Sequence, residues 1–132
     1  MTEQQPLPEP VQRLLVERVD SIAQLEVLLL LHGSTPHAWD ASRVARELRI
    51  EPAWASEQLS LLRDRQLLAE APSGSGSYLF EPATPELGKA VEMLAAAYVD
   101  RRVAVIGLVY SRGAGIRAFA DAFRIRKGDS DG

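Results

Sequence analysis

The sequence predicts a mostly α domain that carries one small β-hairpin and ends in a long helix. Apolar residues recur at three- and four-residue spacing through most of the chain, the signature of amphipathic helices. One segment, Ala71-Pro72-Ser73-Gly74-Ser75-Gly76-Ser77, has turn composition between two short strand-like runs. After it, Thr84-Pro85-Glu86 is a strong helix start, and the pattern continues to Arg112-Gly113-Ala114-Gly115, so a helix of about 25 residues is expected. A chain of 132 residues, 46% hydrophobic and 25% charged, is the size of one ordinary domain with a core of its own.

Each element follows from local chemistry. Residues 1–9 carry two of the prolines, Pro6 and Pro8, and no basic residue, and are expected to form a loose arm. Pro10 suits a first helical turn, and Val11, Leu14, Leu15, Val19 and Ile22 repeat at helical spacing in an amphipathic opening helix. Ser21 and Gln24 form a capping-box pattern, so a second helix starts there, runs through Leu25 to Leu31 and stops at Gly33. Its five consecutive apolar residues, Val27 to Leu31, make it the buried central helix. A loop from Ser34 to Trp39 leads to Asp40, which can cap a helix over Ala41–Leu48 with Val44, Ala45 and Leu48 inward and Arg43, Arg46 and Arg49 outward. Pro52 then opens a helix ending near Arg65, with Ala55, Leu59 and Leu62 as its inward row. Leu67–Glu70 and Tyr78–Glu81 are the strand candidates; Ile116–Ile125 reads as a final short helix, and residues 127–132 as a polar tail.

The order of helix, helix, short helix, helix and hairpin resembles the winged helix-turn-helix of small bacterial transcription regulators of the MarR and PadR type. Trp39-Asp40-Ala41-Ser42-Arg43-Val44-Ala45-Arg46-Glu47-Leu48-Arg49-Ile50 matches the first helix of the motif, and Glu51 to Arg65 the second. Gln66-Leu67-Leu68-Ala69 leads out of it, and the Gly74/Gly76 hairpin matches the wing. The resemblance covers Ser21 to Pro82. It implies a winged-helix domain over residues 10–82, a C-terminal helical extension over 83–126, and a helix over 52–65 that enters the major groove. It further implies that helices outside the motif pair two subunits.

On that implied reading head, the residues expected to meet duplex DNA are Arg43 and Arg46 on the first helix, with Ser56, Glu57, Gln58, Ser60 and Arg63 on the second. Base readout and backbone anchoring favour Arg, Lys, Asn and Gln, and this face is poor in them. From Glu51 through Pro82 there are five acids and two bases, a local charge of −3, and the hairpin tip has no cation. Each phosphate contact is a term in salt-dependent affinity, so duplex binding is expected to be weak. The competing expectation is a protein-interaction module on the same scaffold, with Trp54 as an exposed contact. Trp39 is expected to be a core residue at a strand end.

Charge shifts along the chain: Ala83 to Lys127 holds eight bases against four acids, a net +4, read as a solvated helix surface. The run Val103 to Tyr110 is apolar on every side and has to be covered all round. A second copy is the expected cover, which makes Leu94, Val99, Val103, Ile106, Val109 and Tyr110 the candidate homodimer or partner residues.

Other chemistry has little support. The absence of cysteine removes thiolate catalysis and fits a reducing, cytoplasmic address. The start of the chain lacks the pattern of a signal peptide, and the apolar runs are too short to span a membrane. His32 and His37 do not have the spacing of a helical metal pair, and the serines have no neighbouring base. Glu51/Glu57 and Glu86/Glu92 do not share a helix face. The expectation is a non-enzymatic protein without cofactor or metal.

Overall fold

The computed structural model describes residues 7–72 and 76–111. It is mostly helical, with one small antiparallel sheet. Five helices and two strands follow the order α1 (Glu9–Arg18), α2 (Ile22–Gly33), α3 (Ala41–Leu48), α4 (Pro52–Asp64), β1 (Leu68–Glu70), β2 (Tyr78–Phe80) and α5 (Pro85–Asp100). A further helix, α6, covers residues 102–111. The expected helix at Ile116–Ile125, the polar tail, most of the N-terminal arm and Gly74 all lie outside the described residues.

Caps set most of the boundaries. The side chains of Ser21, Asp40 and Thr84 accept hydrogen bonds from the backbone N–H groups of Gln24, Arg43 and Leu87, each satisfying a donor that the first helical turn leaves unpaired. The opening helix stops before Val19, which is extended at φ −128° because Ser21 restarts the chain two residues on. Val19 nevertheless stays in the core, and Ile22 begins α2. Two helices end on a non-glycine residue in the left-handed region, Arg49 at φ 61° and Gln66 at φ 70°. In both, the next amide reaches back to close the helix, Ile50 N–H to the Ala45 carbonyl and Leu67 N–H to the Leu62 carbonyl, each at 3.0 Å.

Strands β1 and β2 pair in the register Leu68 with Phe80, Ala69 with Leu79 and Glu70 with Tyr78. Trp39 extends the far edge of β2 through two backbone hydrogen bonds with Tyr78, at 2.7 and 2.8 Å. Its side chain is buried, as a core residue at a strand end should be.

Helix α2 is the hub, with Leu25, Val27, Leu28 and Leu31 fully buried. It contacts α3, α4, α5 and β2, while α3 packs most extensively against α4, and α1 against α5. The core therefore joins an α3–α4–hairpin head to an α1–α5 base through one central helix.

The C-terminal helix differs from its expected single span. It breaks at Arg101, with φ −135° and ψ 51°, into α5 and α6. The buried row of α5 passes through Ala90, Leu94 and Ala97, and the next position on that row is Arg101. Continuing straight would carry a guanidinium into the core, which is costly without a partner. After the break α6 instead turns Val105 and Val109 inward. The joint is covered by Arg102, whose guanidinium stacks over Tyr98 at 4.8 Å.

Candidate functional site

Three residues, Arg49-Ile50-Glu51, join α3 to α4. The left-handed Arg49 reverses the chain, Ile50 packs partly buried against the core, and Pro52 starts α4 with its fixed φ and missing N–H at a position where no donor is needed. Ala55, Leu59 and Leu62 face the core, and Val44 and Ala45 of α3 do the same. This corner sets the surface on which the sequence-based candidates lie.

Arg43 and Arg46 are exposed on α3, with Arg49 exposed beside them. The Arg43 guanidinium lies 4.3 Å from the centre of the Trp39 ring, so the ring that anchors the sheet edge also steadies this cation. On α4, Ser56 and Glu57 are exposed, Ser60 is half-buried, and Trp54 is 42% exposed beside them. The structure thus gathers Arg43, Arg46, Ser56, Glu57 and Ser60 on the exposed surface of two packed helices.

Gln58 does not belong to that surface. It is buried, and its Oε1 accepts a hydrogen bond of 2.8 Å from Nε2 of the buried Gln24. Gln24 Oε1 in turn accepts from Arg65 at 2.6 Å and from the Asp20 backbone N–H at 3.0 Å. Arg65 also donates to Asp20 and to the Arg18 carbonyl, and Arg18 donates back to the Arg65 carbonyl at 2.6 Å. The inward row of α4 is one residue wider than expected because this network satisfies a buried amide that would otherwise be costly. A Gln at the margin of an apolar helix row carries no mark of which side it takes.

Arg63 reaches the edge of the α4 surface, but its charge is already engaged. It donates to Asp64 at 3.0 Å and to Glu70 on β1, with the Tyr78 ring 6.0 Å away. The hydrogen bonds to Asp64 and then Glu70 hold the guanidinium above its ordinary pKa. These contacts tie the end of α4 to the hairpin base and leave α4 with an exposed face of small, acidic and aromatic residues.

The candidate partner residues also divide. Leu94 and Val109 are buried in the chain's own core and cannot contact a second copy, because α5 and α6 turn them toward the core. Val99, Val103 and Tyr110 are 81%, 85% and 65% exposed, and Ile106 is half-buried. Among the described residues, the apolar run is therefore covered on one side and exposed on the other.

A groove of about 490 Å³ lies between α1, Gln66 and the start of α5, over a floor formed by Leu14, Leu87, Ala90 and Met93. Its polar rim is partly spent on internal contacts, with Arg13 paired to Glu9 and Arg18 held by the Arg65 carbonyl. Among the described residues, no three of the His, Asp and Glu side chains converge as metal ligands, and no helix is long and apolar enough to cross a membrane. His32 packs edge-on against Phe80 at 4.9 Å. No protein-family model, curated protein or solved structure matches the chain.

Proposed function

We propose that this chain is a small winged-helix regulator, in which α3 and α4 form the helix-turn-helix and the β1–β2 hairpin forms the wing. One observation carries the reading: α3 and α4 pack on each other across a three-residue turn, and the hairpin follows α4 directly and pairs with Trp39 at its outer edge. In this reading α4 faces the major groove. Arg43 and Arg46, with Arg49, supply the cations that meet phosphate, while Ser56, Glu57 and Ser60 lie nearest the bases. Gln58 and Arg63 drop out of the readout, since the first is buried and the second is bound to Asp64 and Glu70.

A second reading is favoured by the α4 face itself. Trp54 stands exposed among Ala53, Ser56 and Glu57 with no free guanidinium on that helix, a surface better matched to a protein than to a polyanion. On that reading the same scaffold acts as a docking module.

A salt titration of fluorescence anisotropy on random duplex separates the two. A DNA-binding regulator shows weak non-specific binding at low salt, reduced by Arg43→Ala and by Arg46→Ala. Glu57→Lys raises that affinity and steepens its salt dependence, because a repulsive carboxylate becomes a phosphate contact. No binding at low salt by the wild type, and identical curves for Glu57→Lys, would overturn duplex recognition and leave the docking module.

A further inference from the structure

The unpaired cations of the α3–α4 surface are confined to α3 and its end. Arg43, Arg46 and Arg49 follow one another at three-residue spacing, and all three are exposed. That spacing keeps Arg43 and Arg46 on one side of the helix, one turn apart, and the left-handed Arg49 follows at its C-terminal cap. Together they extend about 9 Å along the axis, at 1.5 Å per residue. Among the described residues no carboxylate pairs with any of them, since the ion pairs join Arg13, Arg63 and Arg65 to acids. Asp40 is turned to the Arg43 backbone N–H as the cap of α3, and the Arg43 guanidinium lies over an uncharged ring.

Arg49 is the informative member of this ridge. At its φ of 61° glycine is unstrained and a residue with a Cβ is not, and the cap hydrogen bond it makes to the Ala45 carbonyl uses only its backbone N–H. The helix would end equally well on glycine. An arginine at this corner gives up backbone stability and places a third cation on the ridge. The neighbouring α4 face is the opposite case. Bidentate readout of a base pair uses Arg, Lys, Asn or Gln, and α4 holds two such residues, Gln58 and Arg63. The first is buried against Gln24 and the second is bonded to Asp64 and Glu70. What remains outward is Ser56 and Ser60, whose hydroxyls bond to any base, and Glu57, which accepts from cytosine and repels phosphate.

We propose that α3 is a phosphate clamp and that the domain binds duplex DNA without regard to sequence, holding three backbone phosphates through Arg43, Arg46 and Arg49. The inference rests on the duplex-binding reading above and narrows its substrate to the backbone that all sequences share. Phosphate contacts position a protein on the duplex and carry no sequence information. Binding through them alone is driven by counterion release, so the number of cations on the ridge sets its salt dependence. The division of labour between the two helices follows: α3 supplies the attraction, and α4, with no free bidentate reader, lies over the groove without selecting what is in it.

The test is fluorescence anisotropy of the full-length protein on labelled random, alternating dA·dT and alternating dG·dC duplexes. The affinities should agree within about threefold, and log K should fall against log salt with a slope of about 2.7, three contacts at about 0.9 each. That slope is a loss of about fortyfold between about 50 and 200 mM salt. Alanine at Arg43 or Arg46 should lower it by about 0.9 on every duplex, and Arg49→Lys should keep it. Arg49→Gly should lower the slope equally while leaving the urea midpoint unchanged or higher, a combination that a merely structural residue would not give. The double variant Ser56→Ala/Ser60→Ala should change none of the affinities. A preference of about tenfold for dG·dC, the size of one mismatched base pair, that Glu57→Ala abolishes would overturn the sequence indifference and leave duplex binding standing. An unchanged slope in Arg49→Gly with a lowered urea midpoint would overturn the three-arginine clamp. No binding to any duplex would overturn the duplex reading itself, and poly-L-glutamate held by the same arginines would then assign the ridge to an acidic protein.

Discussion

At the residue scale, the polar contacts that matter most to this molecule are internal. Gln24 and Gln58 are the buried polar side chains among the described residues, and they bond to each other across the α2–α4 seam. Removing one partner leaves the other desolvated, which costs more than the bond itself contributes. Gln58→Leu should therefore destabilise the protein by about 1–3 kcal/mol in urea unfolding, despite being an apolar substitution in a core row. The added substitution Gln24→Met should recover part of that loss by removing the stranded amide. A neutral Gln58→Leu would mean that the seam does not depend on this pair. The side chains that bind the Gln24 amide are far from it in sequence, Arg65 by 41 positions and Gln58 by 34, so no local pattern could announce them.

At the element scale, the helix starts were legible because caps are local: Ser21, Asp40, Thr84 and the prolines at 52 and 85 act within one turn of themselves. The break at Arg101 was not, because it depends on which side of α5 meets the core. The proposed reading surface was legible as a set of exposed positions and less so as a set of partners. Arg43, Arg46, Ser56 and Glu57 are where a helical wheel puts them, but Arg63 spends its donors on Asp64 one residue away and Glu70 on the next element. That pairing gives a test of the proposed duplex contact. Neutralising both acids, Asp64→Asn with Glu70→Gln, frees the guanidinium and removes two repulsive charges beside the α4 surface. Affinity for random duplex should rise, and the slope of log K against log salt should steepen by about one if Arg63 then reaches a phosphate. An unchanged slope would show that the C-terminal end of α4 does not approach the backbone.

At the scale of the whole molecule, α1 packs against α5 as one base, α2 packs on the α3–α4–hairpin head, and the hydrogen bonds between Arg18 and Arg65 tie the end of α1 to the end of α4. Elements that share a seam open together, and those joined more sparsely can open apart. Leu15 lies fully buried on α1, and Leu94 is its fully buried counterpart on α5. Leu15→Ala deletes three buried carbons at the base, and such a core truncation costs about 2–5 kcal/mol. Hydrogen exchange on the variant should show where that loss falls. Amides of α1 and α5 should lose protection together, α2 should remain the slowest-exchanging element because Leu25, Leu28 and Leu31 are sealed on both sides, and the head should change least. If α3 and α4 lose protection to the same extent as α1 and α5, the molecule unfolds as one unit. The head would then be unable to move against its base, and any regulation would have to act on the head directly. If only α1 and α5 respond, the α1–α5 seam and the groove beside it are the part of the fold that can loosen without disturbing the α3–α4 surface.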